Sequence, residues 1–177
     1  MLQYVENLLN KIGFNIAWVS QGTISKYQIS EIHQRIDDIE LQEINELCSR
    51  SNKGKNYLAL KEVWEKESYI HLLDQRDIIN IIKFRTSNHK LPVETGRYQQ
   101  IEYKDRICKE CYSDIGDEFH YVFKCPRFSP ERKRYLLKKQ ITHASMITFK
   151  KLFSQKDTKV TRDLSKFILI IMNKIKS

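Results

Sequence analysis

The sequence predicts a mainly α-helical chain, made of a helical body, a small cysteine- and histidine-rich module and a closing amphipathic helix. Three observations carry this. Glycine and proline are scarce, 5 and 3 in 177 residues, which favours helices joined by short connections. Apolar residues recur at spacings of three and four through most of the chain. Three of the four cysteines crowd into one stretch around a histidine, between Cys108 and Cys125.

Taken in order, Leu2, Val5, Leu8, Leu9 and Ile12 predict a first helix that Gly13 stops. Phe14, Ile16, Trp18 and Val19 form a short apolar patch, with Trp18 as a core anchor, before a loop over 20–25. Ile29, Ile32, Ile36, Ile39, Leu41, Ile44 and Leu47 predict a long amphipathic helix over 26–49. Asp37 and Asp38 lie within that pattern, with no strand or hairpin beside them, so they belong to a solvated face and not to a catalytic carboxylate pair. Cys48 reads as a buried or partly buried thiol. Ser51, Asn52 and Gly54 mark a loop. From Tyr57 to about Lys83 the pattern is helical again, through Leu58, Leu60, Val63, Trp64, Tyr69, Ile70, Leu72, Leu73, Ile78, Ile79, Ile81 and Ile82, with a break near Ser68.

Residues 84–98 change character. Thr86, Ser87 and Asn88 favour a turn, and Pro92 biases Leu91 away from helix. Arg85, His89, Lys90 and Arg97 therefore crowd onto a predicted loop. They serve either as donors to phosphate or as the bonds that hold the following module to the body. After the module, Ser129 and Pro130 suit the cap and first residue of a helix carrying Arg132, Lys133, Arg134, Lys138 and Lys139. Residues 146–154 form a short helical pattern. A final helix from Thr161 carries the stripe Leu164, Phe167, Ile168, Ile171, Met172 and Ile175.

The module itself has the spacing C-x2-C-x8-H-x4-C, with Cys108, Cys111, His120 and Cys125 as four soft ligands inside one short segment. That donor set matches one tetrahedral Zn2+, and four protein ligands leave no open position, so the site reads as structural. Asp114, Gly116 and Asp117 suit a turn, with Asp117 capping a short helix from Glu118 to about Phe123. His120 and Cys125 cannot both point at one ion from an unbroken α-helix. Pro126 is expected to resolve this by disfavouring helical geometry at Cys125. Phe119, Tyr121, Val122 and Phe123 form an apolar skirt that is expected to pack on the helical body.

Charge divides the chain unevenly. Residues 1–80 carry 9 Lys/Arg and 12 Asp/Glu, residues 81–140 carry 14 and 8, and residues 141–177 carry 8 and 2. A basic second half within a net +9 chain suggests a polyanionic partner. Clustered cysteines fit metal-bound thiolates in a reducing compartment, nuclear or cytoplasmic, better than a secreted disulfide framework. No apolar run approaches the roughly 20 residues that cross a bilayer, and no signal peptide opens the chain. The expected organisation is a helical region over 1–83, the module with its basic helix over 84–140, and a helical tail over 141–177.

The runs HKLPVETGRY (89–98), RICKECYSDIGDEFHYVFKCPRF (106–128) and ERKRYL (131–136) resemble the region downstream of the polymerase in non-LTR retrotransposon reverse transcriptases. Such proteins place a CCHC cluster near their carboxy terminus. The likeness covers about 60–140 and extends more weakly to the first helices and the last. It implies that Cys108, Cys111, His120 and Cys125 are metal ligands and that the basic surface around them holds template RNA or target DNA. The polymerase aspartate hairpin is missing, and so is the spaced acidic pattern of the nuclease found in some of these elements. The chain thus reads as a fragment or stand-alone remnant with no catalysis and no small-molecule substrate. The alternative is a protein-interaction scaffold that zinc merely stabilises.

Overall fold

The structure, a computed structural model, describes residues 2–20, 22–61 and 65–175. Val63 and Trp64, which the periodicity assigns to a helix, lie outside the described residues. Eleven α-helices are named here among the described residues, and no strand longer than a single bridge occurs among them. The chain forms two compact units, residues 1–50 and 51–177.

The first unit holds α1 (Leu2–Lys11), α2 (Asn15–Ser20) and α3 (Lys26–Arg50). Gly13 ends the first helical stretch as its position predicts. Its φ of +78° lies in the left-handed region, and Phe14 N donates to Leu9 O at 2.8 Å, closing the last turn. Leu9 and Ile12 are buried. Trp18 is only half-buried, so it is a weaker anchor than its size suggests. The stretch around it is helix α2, where the sequence suggests only an apolar patch. α3 is the long helix expected, yet none of its 25 residues is buried. Ile29, Ile44 and Leu47 are exposed, and Cys48 is half-buried.

The second unit holds α4 (Asn52–Leu60), α5 (Tyr69–Leu72), α6 (Gln75–Arg85), α7 (Pro92–Tyr98), α8 (Ser129–Tyr135), α9 (Lys138–Thr142), α10 (Met146–Phe153) and α11 (Thr158–Lys174). The expected loop at 51–54 is a helix start, because the Ser51 hydroxyl accepts from Gly54 N and caps α4. Residues 92–98 are also helical. Pro92 keeps Leu91 extended but stands at the first helical position, where its missing N–H costs nothing. α8 starts differently from the expectation. Ser129 lies inside the helix after a 3-10 turn over Pro126–Phe128, and its side chain makes no cap. The last helix begins at Thr158, three residues early, where the Asp157 carboxylate accepts from Val160 N.

α11 packs along α6 and α8. Its buried stripe is Leu164, Phe167, Ile168 and Ile171, the one read from the sequence. Ser165 Oγ donates to Asp77 Oδ1 at 2.7 Å, fixing the register of α11 on α6. Phe84, Phe149, Leu152 and Phe153 join the same core, and so do Tyr121, Val122, Phe123 and Phe128 of the module. The skirt therefore packs on the helical body, as expected, and the module is not a separate bead.

Candidate metal centre

Two short pieces of backbone bring the four ligand residues together. The first is a knuckle over 106–116. Gly116 N donates to Arg106 O at 2.8 Å, Cys108 N to Asp114 O at 2.9 Å, and Tyr112 N to Cys108 O at 2.9 Å. The chain thus turns tightly between the two thiols, with Tyr112 at φ +58° and 77% exposed at its tip. Gly116 permits the closure, since a Cβ there would lie 2.7 Å from Pro92 Cγ and 3.0 Å from the Cys108 Cα. Val93 N donates to Gly116 O, seating the knuckle on the start of α7.

The second piece carries His120 and Cys125. Asp117 caps it as predicted, its Oδ1 accepting from His120 N at 2.7 Å. From His120 to Lys124 the chain then forms a π-helical turn, and Cys125 N donates to His120 O at 2.8 Å. A π turn bonds residue i to i+5, bringing five-apart side chains to one side. The sequence leaves this answer to Pro126 alone, but the widened turn does the main part and Pro126 ends it. The turn's carbonyls are satisfied by Arg132. Its Nε donates to Val122 O at 2.6 Å and its Nη2 to Cys125 O at 2.8 Å and Tyr121 O at 3.4 Å.

The result is a compact group able to hold a metal ion. The ligand atoms of Cys108, Cys111, His120 and Cys125 all lie within 4.8 Å of one another. Cys108 Sγ and Cys125 Sγ are 3.9 Å apart, and Cys111 Sγ is 3.3 Å from His120 Nε2. Tetrahedral ligands at zinc bond lengths sit about 3.8 Å apart for two sulfurs and roughly 3.6 Å apart for sulfur and nitrogen. The donor set and its spacing therefore fit. Cys108, Cys125 and His120 are buried, and Cys111 is half-buried.

The local electrostatics favour a cation at the centre. Burial pushes the Cys125 thiol up to about 12, with the neighbouring Cys108 adding to the shift. Burial also raises the Cys111 thiol, but hydrogen bonds with Ser113, Cys108 and Cys125 outweigh it and bring it below its usual value. Burial lowers the His120 imidazole, keeping a nitrogen lone pair free. Burial thus disfavours charge on Cys125 by itself, and a bound dication would displace the proton and balance the thiolates. His120 Nδ1, on the far side of the ring, has no hydrogen-bond partner, and Asp114 Oδ2 stands 3.8 Å away. That carboxylate is the nearest group to orient the ring, the usual duty of an outer partner of a ligating histidine.

The basic residues of 84–98 and of the stretch after the module divide into buried, half-buried and exposed ones. Arg85 is buried, its guanidinium paired with Glu67 and packed against the rings of Tyr57, Tyr69 and Phe153. The His89 side chain is 1% exposed and its Nε2 lies 2.9 Å from Glu118 Oε1. Arg132 is buried beneath the π turn. These three are occupied inside the protein and do not face a surface. Arg97 forks onto Glu94, at 3.3 and 2.9 Å, and stacks over Tyr98 at 4.2 Å. Lys90, Lys133, Arg134, Lys138 and Lys139 are exposed. Lys109, Lys124 and Arg127 are also exposed and flank the ligands in sequence.

Sequence reasoning also misses the group around Glu118. Its Oε1 accepts from Asn56 Nδ2 at 3.1 Å and Ser87 Oγ at 2.9 Å, besides His89. Ser87 reaches it from a left-handed φ of +50°. Burial opposes the Glu118 charge, but the His89 contact and the Ser87 hydroxyl outweigh it and hold the carboxyl below its usual range. Its members come from three separate stretches of the chain, at 56, 87–89 and 118, so no local signal marks it.

No family model matches the chain, and no curated protein or solved structure matches it either. Among the described residues, no helix is long and apolar enough to cross a membrane.

Proposed function

We propose that the second unit is a non-catalytic, zinc-stabilised module that binds nucleic acid, RNA or DNA, mainly through phosphate. The observation that carries it is the Cys3His group, closed by four protein ligands and bordered in sequence by exposed Lys109, Lys124, Arg127, Lys133 and Arg134. One Zn2+ would be held by Cys108, Cys111, His120 and Cys125 and would serve as a cross-link between knuckle and π turn. With no vacant ligand position, it has no water to activate, and the chain is read as having no enzyme activity. The resemblance to the region after the polymerase of non-LTR retrotransposon reverse transcriptases supports the same reading, as does the +9 charge. Thiols kept for metal support a reducing compartment, the nucleus or cytoplasm, as part of this reading.

The test is binding of single-stranded RNA and duplex DNA by the zinc-loaded chain at two salt concentrations. Phosphate contacts predict affinity that falls steeply with salt, with a slope of about 0.7 to 0.9 per phosphate neutralised. A chain that holds zinc but binds neither polymer is a protein-interaction scaffold instead. The unburied apolar face of α3, with Ile29, Ile44 and Leu47 exposed, is the observation favouring that second reading.

A further inference from the structure

Beside the metal centre lies a cavity of about 290 Å3 that the metal group does not use. Glu118 stands in its wall, 7% exposed. All three side-chain contacts of its carboxylate converge on Oε1, and Oε2 has no side-chain donor among the described residues. The carboxylate also takes a hydrogen bond from the Glu118 backbone N–H, and an oxygen with no side-chain donor keeps a lone pair for one from outside. Two guanidinium groups share the wall with donors to spare. Arg97 gives Nε and Nη2 to Glu94, and Arg106 gives Nε to Ile101 O and Nη1 to Val93 O. That leaves Arg106 Nη2 without a protein acceptor among the described residues, while Arg97 also bonds the Tyr98 side chain and keeps further N–H groups. Tyr103, Phe119 and Met146 supply flat and apolar surface.

We infer that this cavity receives one guanine base turned out of a single-stranded nucleic acid. The inference rests on the nucleic-acid reading above and adds the base to it. Size sets the first limit, since small-molecule sites run from about 300 to 1,000 Å3 and this cavity is at the low end. It suits one ring system with its ribose outside. Hydrogen bonding sets the second. Guanine offers two adjacent N–H donors, N1–H and the N2 amine, to Glu118 Oε2, and its O6 and N7 accept from a guanidinium. Adenine has no ring N–H on that edge, and uracil offers one flanked by carbonyls that the carboxylate repels. Exposed single-stranded bases are read in this way, by edge bonds together with stacking on aromatic rings.

The test uses the full zinc-loaded chain and short oligouridylates that differ only in one central guanosine or adenosine. The guanosine strand should bind about tenfold more tightly, as expected for one well-made set of base contacts. Glu118→Gln should erase that preference while affinity for the all-uridine strand persists. Three donors fix the amide oxygen at the Oε1 position, so the amide nitrogen must take the place of Oε2 and oppose the guanine donors. Met146→Trp fills the cavity from an exposed position without touching the Glu118 network, and should erase the preference too. Zinc content checks that both variants are folded. Equal affinity for the two strands, or a preference that survives both variants, overturns the base pocket and leaves phosphate binding standing. No binding to any strand overturns both.

Discussion

Gly116 shows how much one residue decides. The knuckle and α7 approach so closely that a Cβ at this position would meet the backbone of Cys108 and the ring of Pro92. Gly116→Ala should therefore destabilise the protein by roughly 1–3 kcal/mol, the usual cost of forcing a methyl into a filled place. Thermal melting measures it, and an unchanged midpoint would show that the knuckle shifts freely. The ligands were legible in the sequence because cysteine and histidine spacing is a local signal. The fates of Arg85, His89 and Arg132 were not. A cation on a predicted loop or helix face looks alike whether it reaches solvent or turns inward. What decides is a partner far along the chain, Glu67 for Arg85 and Glu118 for His89. For Arg132 it is the set of carbonyls at 121, 122 and 125.

The π turn of His120–Lys124 is the element on which the site depends. Its wide pitch puts His120 and Cys125 on one side, and its carbonyls are held by one buried guanidinium. Arg132→Ala removes those donors at once and leaves buried carbonyls unpaired, so a loss of about 3 kcal/mol or more is expected, together with weaker metal retention. Lys133→Ala with Arg134→Ala on the same helix should change stability by no more than about 0.5 kcal/mol. That pair should instead lower the salt slope of nucleic-acid binding by about 1 to 2. Melting and chelator-release assays separate the two effects. If Arg132→Ala behaves like the surface pair, the account of the turn is wrong. Helices α1, α3, α10 and α11 were readable because apolar spacing sets them. α7 and the π turn were not, because tertiary docking of Pro92 and Arg132 outweighs the local turn signals.

At the scale of the whole molecule, buried charge ties stability to pH, and a bound metal would do so too. Glu118 and Glu67 are each held below the usual carboxylate range. For both, burial acts against the charge and is outweighed, by His89 and Ser87 in one and by Lys61 and Arg85 in the other. Their contribution is complete above the unfolded carboxylate value of about 4.3 and is lost as pH falls through their lower folded values. The metal should go earlier, since protons compete for thiolates and imidazole. Melting followed against pH, with and without a chelator, should show two losses with zinc present, and only the lower one without it. The shared core of the second unit explains why metal loss should reach far within it, because Tyr121, Val122 and Phe123 of the metal module pack there with α6, α10 and α11. The most direct test of the central claim is the metal content of the purified chain, compared with that of Cys111→Ser. One zinc per chain, lost in the variant along with a fall in melting on the order of the 10 kcal/mol that structural zinc contributes, is the result expected. A chain that carries no zinc, or a variant that keeps it and melts unchanged, would contradict the account.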